Sequence, residues 1–386
     1  MKDNKTVTPG LLGTIAMLAL TLMGLGSNAI TPALETLASH FVGRNVSFIQ
    51  TVATLSMVLG SLIAGAIMGK KVKTKTLAVL GSLLCLVFGI LPVWIESYVL
   101  LLIIRFVFGF ALGLISPLGN ALIMMHFEGK RQASLLGIGT FAMNIGGIAF
   151  QMLAGILAEK SWNLAFWGHI FFVIALVMAF FLPNEEIIKE KKEKEQCRKK
   201  EVLNYKVMVV IGLFLFVFQA INLSVMMSAS TIFEMRNAGG ATVAAMALTA
   251  FSVTGMFAGL LFGPVFQKCK RCMFVFAFGA VALGAFIILF GQSAIVMGIG
   301  YAFIGVGFNW QLTTFMGWVG IANPVSMIGT GTSIALATMN LGGFISSFWM
   351  IALGYDLIKI LLADVILCII LAIILFVINP FKEQMK

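Results

Sequence analysis

Residues 139–155 read GTFAMNIGGIAFQMLAG, and residues 331–349 read GTSIALATMNLGGFISSFW. The centre of the first, Met143-Asn144-Ile145-Gly146-Gly147, returns in the second as Met339-Asn340-Leu341-Gly342-Gly343. Each copy lies in the fifth long apolar run of its half of the chain. Between the halves is the only strongly charged segment, Asn184 to Glu201. The repeat predicts a six-helix membrane unit used twice, the copies joined by a polar linker. Small residues let membrane helices approach closely, so the glycines read as packing positions. The asparagines stay open between packing and lining a polar path, because intramembrane polar groups face the bundle interior.

The rest of the chain carries this pattern outward. Its 386 residues are 60% hydrophobic and 11% charged, with a mean hydropathy of +1.04. A span needs about 20 apolar residues. Twelve such runs can be marked, near 11–34, 47–69, 76–95, 97–125, 132–158, 162–182, 207–233, 241–267, 273–291, 293–319, 325–353 and 356–379. No long soluble stretch is left over. The expected fold is an all-α integral membrane protein, with twelve transmembrane helices in two pseudo-symmetric six-helix bundles. The expected organisation is a bundle at 1–183, a charged linker at 184–206 and a second bundle at 207–386. MKDNKTVTPG and the apolar run after it read as a retained first helix, since no small-residue cleavage site ends a short apolar region.

The net charge of +11 belongs to topology, not to nucleic acid. Cations fill alternate loops: Lys70, Lys71, Lys73 and Lys75, then Lys130 and Arg131, then 189–206, then Lys268, Lys270 and Arg271. The intervening loops hold little, among them Glu35, Arg44, Glu96 and Asp356. By the positive-inside rule both termini and the linker are cytoplasmic. The linker mixes charge signs densely, which predicts a surface helix or disordered tether touching anionic lipid headgroups. Five cysteines (85, 197, 269, 272, 368) fall in spans or on the reducing side. Cys269 and Cys272 have zinc-like spacing but no second pair, so no metal site is expected.

With these features in place the chain resembles the major facilitator superfamily over essentially its whole length. Three local motifs carry the resemblance. Gly65-Ala-Ile-Met-Gly-Lys-Lys-Val-Lys is similar to the family's Gly-x-x-x-Asp-Arg-x-Gly-Arg-Lys loop, with Gly69 at the acidic position and Val72 at the second glycine. The charge-relay role of that acid therefore does not carry over. Arg105-Phe-Val-Phe-Gly109-Phe-Ala-Leu-Gly113 resembles the family's span-4 Arg-x-x-x-Gly motif. In span 5, Gly137, Gly146 and Gly155 match the signature of the drug antiporters, while Phe150, Gln151 and Ala154 replace its Gly, Pro and Gly. The resemblance implies secondary transport by alternating access, with spans 3, 6, 9 and 12 outside the cavity.

Polar residues inside the spans are few. Arg105, Gly109, Leu112, Ser116 and Asn120 fall on one face of span 4, and Thr140, Asn144, Gly147 and Gln151 on one face of span 5. Gln219, Asn222, Met226 and Ser230 form a stripe on span 7, and Ser333, Ala337, Asn340 and Ser347 on span 11. Lipid cannot hydrogen-bond such stripes, so they face the interior. The candidate pathway is Asn28, Arg105, Ser116, Asn120, Asn144, Gln151, Gln219, Asn222, Asn309, Gln311 and Asn340. The candidate packing set is Gly65, Gly109, Gly113, Gly146, Gly147, Gly155, Gly342 and Gly343.

Arg105 is the sharpest residue. A cation at mid-membrane costs about 2.5–3.5 kcal/mol and needs partners. Asn28, Gln151, His169 and Asp364 lie at comparable depth. Asn28 and Gln151 are the expected partners; His169 reads as packing and Asp364 as a contact between helices, because both fall on outer spans. No acid lies deep in the first-half spans, which tilts the substrate toward neutral or anionic amphiphiles.

Gly65-Ala-Ile-Met-Gly-Lys-Lys has one spacer too few for a phosphate loop and no Ser or Thr after its lysine. No paired carboxylates or nucleophile set points to an enzyme. The expected function is proton-coupled efflux of a small amphipathic solute. Uptake or exchange of a small organic anion, and a transporter-like sensor, are the alternatives. A small-molecule substrate, protons and membrane lipids are the expected partners. No cofactor, metal or nucleic acid is expected, and the protein is expected to be a monomer in the plasma or inner membrane.

Overall fold

The structure, a computed structural model, describes residues 9–67, 72–127, 129–183, 202–324 and 328–380. Lys70, Lys71, Gly69 and the linker to residue 201 lie outside these residues, as do the side-chain surroundings of Gly65, Gly137, Thr140 and Ser333. The regular elements among the described residues are helical. Among the described residues twelve helices are long and apolar enough to cross a membrane, which makes this a multi-pass membrane protein. In order, spans 1 to 12 are Leu11–His40, Ser47–Ala64, Thr74–Trp94, Tyr98–Ile123, Phe141–Ala158, Trp162–Ala179, Tyr205–Met227, Ala241–Phe266, Met273–Phe290, Ala294–Ala322, Ile334–Ala352 and Leu357–Ile378.

Local chemistry sets several helix starts. Ser97 accepts from the Leu100 amide ahead of span 4, and Ser293 from Val296 ahead of span 10. Asp356 accepts from Ile358 and Lys359 at the start of span 12. These caps satisfy amides that a helix start leaves open. Large apolar side chains such as Leu260, Ile295 and Val377 are mostly exposed. Water would penalise that surface; hydrocarbon does not.

By contacts the chain forms two units. The first is Met1–Ile30 with Val52–Glu193, and the second is Thr31–Thr51 with Lys194–Lys386. The sequence does not foreshadow that 31–51 associates with the second unit. Its reason is polar pairing. Thr51 Oγ1 lies 2.7 Å from Ser347 Oγ of span 11. Thr231 Oγ1 donates to Glu35 Oε2, and the Glu35 amide donates to Ser230 Oγ at 3.2 Å.

Within each unit, glycines bring helices into main-chain contact. A Cβ on Gly146 of span 5 would lie 2.1 Å from the Leu22 carbonyl oxygen of span 1. A Cβ on Gly342 of span 11 would lie 2.2 Å from the Phe216 carbonyl oxygen of span 7. Gly109 and Gly113 of span 4 meet the Ala53 and Met57 carbonyls of span 2 in the same manner, and Gly305 of span 10 meets Phe251 of span 8. Gly147 meets only the Leu25 side chain, so it is the looser of the tandem glycines. Gly155 and Gly343 are buried.

Among the described residues four spans depart from regular α-helix, span 3 only by ending as a 3-10 helix over Leu91–Trp94. Span 1 is α-helical over Leu11–Leu22, then 3-10 over Met23–Asn28, and becomes α-helical again at Leu34–His40. Gly24, Gly26 and Pro32 disfavour a continuous helix there. Span 4 breaks at Ser116-Pro117 between Tyr98–Ile115 and Leu118–His126. That break corrects the expected single polar face, because Asn120 lies beyond it and is exposed while Ser116 is half-buried. Span 6 begins as a 3-10 helix over Trp162–Phe171.

Candidate functional site

The centre of the first unit is Arg105, two turns into span 4 and fully buried. Its Nη2 donates to the Ser27 carbonyl oxygen at 3.3 Å, and its Nη1 lies 3.2 Å from His169 Nε2. The guanidinium carbon sits 4.6 Å from the centroid of the Phe108 ring. Each contact follows from local winding. The Ser27 carbonyl lies in the 3-10 stretch of span 1, where the α-helical ladder is interrupted. Discontinuous membrane helices offer main-chain groups to partners in this way. Gly26 permits the approach, since a Cβ there would lie 2.5 Å from the Phe172 ring.

In span 6 the 3-10 winding aligns residues three apart. Phe166, His169 and Phe172 are all buried, with successive rings stacked at 6.2 and 6.3 Å. This row turns His169 onto Arg105 and corrects the expectation that an outer-span histidine only packs. His169 and the Ser27 carbonyl both contact Arg105, and neither is the partner expected from the sequence. Gln151 is buried with its Oε1 unpartnered, and Asn28 accepts from Ser27 Oγ at 3.4 Å.

The network fixes the histidine's proton. A guanidinium only donates, so Nε2 accepts. Nδ1 then carries the hydrogen, which it gives to the Phe166 carbonyl at 3.0 Å. His169 is the neutral Nδ1–H tautomer, so that it, the Ser27 carbonyl and the Phe108 face are neutral groups set against the Arg105 charge. Such a cation can hold an anionic or hydrogen-bonding group, or bias a nearby proton site.

The first unit also buries Asn144 of span 5. In the second unit the same sequence offset that takes Asn144 to Asn340 takes Arg105 to Tyr301 and Gly109 to Gly305. Tyr301 is fully buried, and its hydroxyl donates to the Val225 carbonyl of span 7 at 3.3 Å. Asn222 and Gln311 are buried with both amide atoms of each unpartnered, and the Gln219 Oε1 is unpartnered as well. Asn309 is half-buried against Gly255 of span 8, and Asn340 is half-buried on span 11. Asp364 of span 12 is buried, and its Oδ1 accepts from Cys368 Sγ at 3.8 Å. That contact is one turn along its own helix, which corrects the expectation of a bond between helices.

A cavity of about 590 Å3 opens in the second unit, at the end of spans 7 and 11 remote from the basic loops. Glu35, Phe48, Met227, Thr231, Met350 and Tyr355 contribute to its lining. Burial pushes the Tyr355 phenol up from its ordinary range, against hydrogen bonds from Ser47 and Asn45. Sequence reading did not single out Glu35, Thr51 or Ser347 as partners. Hydroxyl residues in a helix commonly bond their own turn, so type and spacing give no signal for a tertiary bond.

Comparison with known proteins fits this geometry. A multidrug efflux pump of Staphylococcus aureus, SdrM, is 25% identical over 189 residues, which are 47% of this chain and 42% of that protein. The match thus spans less than half the length of that curated relative. Solved structures share the fold at low identity. A POT family transporter in complex with 5-aminolevulinic acid has a TM-score of 0.76 at 11% identity, covering 97% of this chain and 98% of that one. The nucleoside transporter NupG has a TM-score of 0.73 at 12% identity, covering 96% and 100%. A D-xylose-proton symporter has a TM-score of 0.72 at 17% identity, covering 92% and 95%. Residues 16–347 match the Major Facilitator Superfamily as a whole. With twelve spans among the described residues, the repeated glycine contacts and that match, the chain belongs to the Major Facilitator Superfamily.

Proposed function

We propose that the protein exports a small amphipathic solute by alternating access, in exchange for protons. The observation that carries this reading is the buried Arg105, held by the unwound part of span 1 and by His169. A residue that only braced helices would not need a permanent charge, whose placement costs about 2.5–3.5 kcal/mol on insertion scales. The unpartnered amides of Asn222 and Gln311 support a polar path in the second unit. Each such buried group costs about 1–3 kcal/mol, which a passing polar solute or water relieves. The likeness to an efflux pump favours export.

In this reading the halves 1–183 and 207–386 rock about a midplane site, joined by the 184–206 linker. Both termini face the cytoplasm, in a plasma or inner membrane, and the monomer is the working unit. A second reading, uptake or exchange of a small organic anion, is favoured by the charge of Arg105 itself. A thermal-shift screen of purified protein nominates ligands, because a ligand stabilises only a state that binds it. Flux of the hits in proteoliposomes with and without a pH gradient then tests the proposal. Export that follows the gradient supports it. Gradient-independent anion exchange supports the second reading, and no flux of any stabilising ligand overturns both.

A further inference from the structure

A groove of about 360 Å3 lies between spans 9 and 12 of the second unit. Val275 and Gly279 form one wall, and Ile369, Ala372, Ile373 and Phe376 the other. These spacings put each set on one face of its helix. The lining is wholly apolar. Gly279 makes the notch, since a Cβ there would meet nothing within 4 Å. From Ile369 to Phe376 the groove follows span 12 for about 10 Å at the α-helical rise.

One end carries charge. The Arg271 guanidinium sits 4.2 Å from the Phe376 ring centroid, one turn before Val275. Arg271 is exposed, and no carboxylate partners it among the described residues. Exposed Lys268 stands beside it in the QKCKRC stretch at 267–272, which has three cations and no acid. Resting on an aromatic face fixes the guanidinium while leaving its N–H edge free to donate. That edge matches phosphate oxygens.

We propose that this groove is a site for an anionic phospholipid, with one acyl chain between spans 9 and 12 and the headgroup phosphate on Arg271. An oily slot that ends at a cation, at the depth where a helix leaves the bilayer, has the chemistry of one such lipid. A transmembrane helix of a second copy is about 10–12 Å across with its side chains. A slot floored by one glycine and one alanine suits a single hydrocarbon chain better. The site is separate from Arg105 and stands whether the substrate is an amphiphile or an anion.

The test is native mass spectrometry of the full-length protein titrated with phosphatidylglycerol or phosphatidylcholine of identical chains. The wild type should favour phosphatidylglycerol by about fivefold for one surface cation. Arg271→Gln should bring phosphatidylglycerol down to the phosphatidylcholine level. Gly279→Leu should weaken both lipids, and its melting temperature, measured in detergent, should match the wild type because the side chain enters open space. Arg131→Gln, an exposed cation of another basic loop, should leave the preference intact. Equal binding of the two lipids, an undiminished preference in Arg271→Gln, or an equal loss in Arg131→Gln would overturn the site. So would displacement of the lipid by inorganic phosphate regardless of acyl chain, or a wild-type dimer that Gly279→Leu separates. A Gly279→Leu protein that melts early is replaced by Gly279→Val, read in the same way.

Discussion

At Gly146 in the first unit and Gly342 in the second, a glycine meets a main-chain carbonyl of the unit's first span at nearly the same distance. At Arg105 and Tyr301, separated by the same sequence offset, the side chains differ in kind. One is a cation with neutral acceptors around it; the other is a phenol with one carbonyl. Both donate to the backbone of the first span of their unit. The comparison separates two demands. Close helix packing recurs in both units because steric fit is the same problem twice. At the Arg105 and Tyr301 positions charge occurs in one unit only, which packing does not require.

The largest expected effect breaks the comparison at its charged side. Arg105→Ala removes the charge-assisted hydrogen bonds to the Ser27 carbonyl and His169, about 1.5–3 kcal/mol each. Flux in proteoliposomes should fall about 100-fold or more, since each 1.4 kcal/mol is a factor of ten. Insertion should persist, because the substitution also relieves the cost of a mid-membrane charge. Arg105→Lys keeps charge and loses the planar fork. If substrate affinity drops in Arg105→Lys, the residue binds the solute. If affinity holds and the pH profile of flux moves, it tunes a proton site. Wild-type flux in Arg105→Ala across the pH range leaves it a brace.

Gly146→Leu and Gly342→Leu come next. Each forces a side chain against main chain, where overpacking costs about 1–3 kcal/mol. Both should lower the yield of folded protein and its melting temperature, by similar amounts. A normal melting temperature in one alone would show that the repeat is not equivalent in packing. Gly147→Leu should be milder, because the Leu25 side chain can rotate away.

His169→Phe leaves an Arg105 N–H facing a ring in place of an acceptor, a loss of about 1–3 kcal/mol. Flux should drop by about tenfold, and His169→Gln, which restores an acceptor, should recover part of it. Equal activity of the Phe and Gln variants would mean that the imidazole acts only as packing.

The smallest effect sharpens the uncharged side. Tyr301→Phe removes one neutral hydrogen bond, about 0.5–1.5 kcal/mol. A small fall in melting temperature with flux near wild type is the expectation. Loss of flux there would make Tyr301 a working counterpart of Arg105 and erase the asymmetry.

How far these features are legible in the sequence depends on what each one rests on. The repeat, the twelve runs and Arg105 stand in the primary structure, because bilayer thickness and the rarity of intramembrane charge leave direct marks on composition. The tandem glycines stood out as well, though not that Gly146 is tighter than Gly147. That difference depends on which side of the helix faces span 1. The Ser27 carbonyl could not be foreseen, since every residue has one and only unwinding frees it. His169 is visible but reads as packing, because it falls on an outer span; only the 3-10 winding of span 6 turns it onto Arg105.

The sequence alone therefore determined class, span number and the duplicated plan, through hydrophobic length and repetition, which are additive along the chain. The tertiary structure decided what holds Arg105, why 31–51 associates with the second unit, and which buried amides remain unpaired. Those are properties of winding and of contacts between distant residues. A carbonyl, a hydroxyl or an imidazole becomes a partner only when the backbone turns it toward a group that a different span supplies.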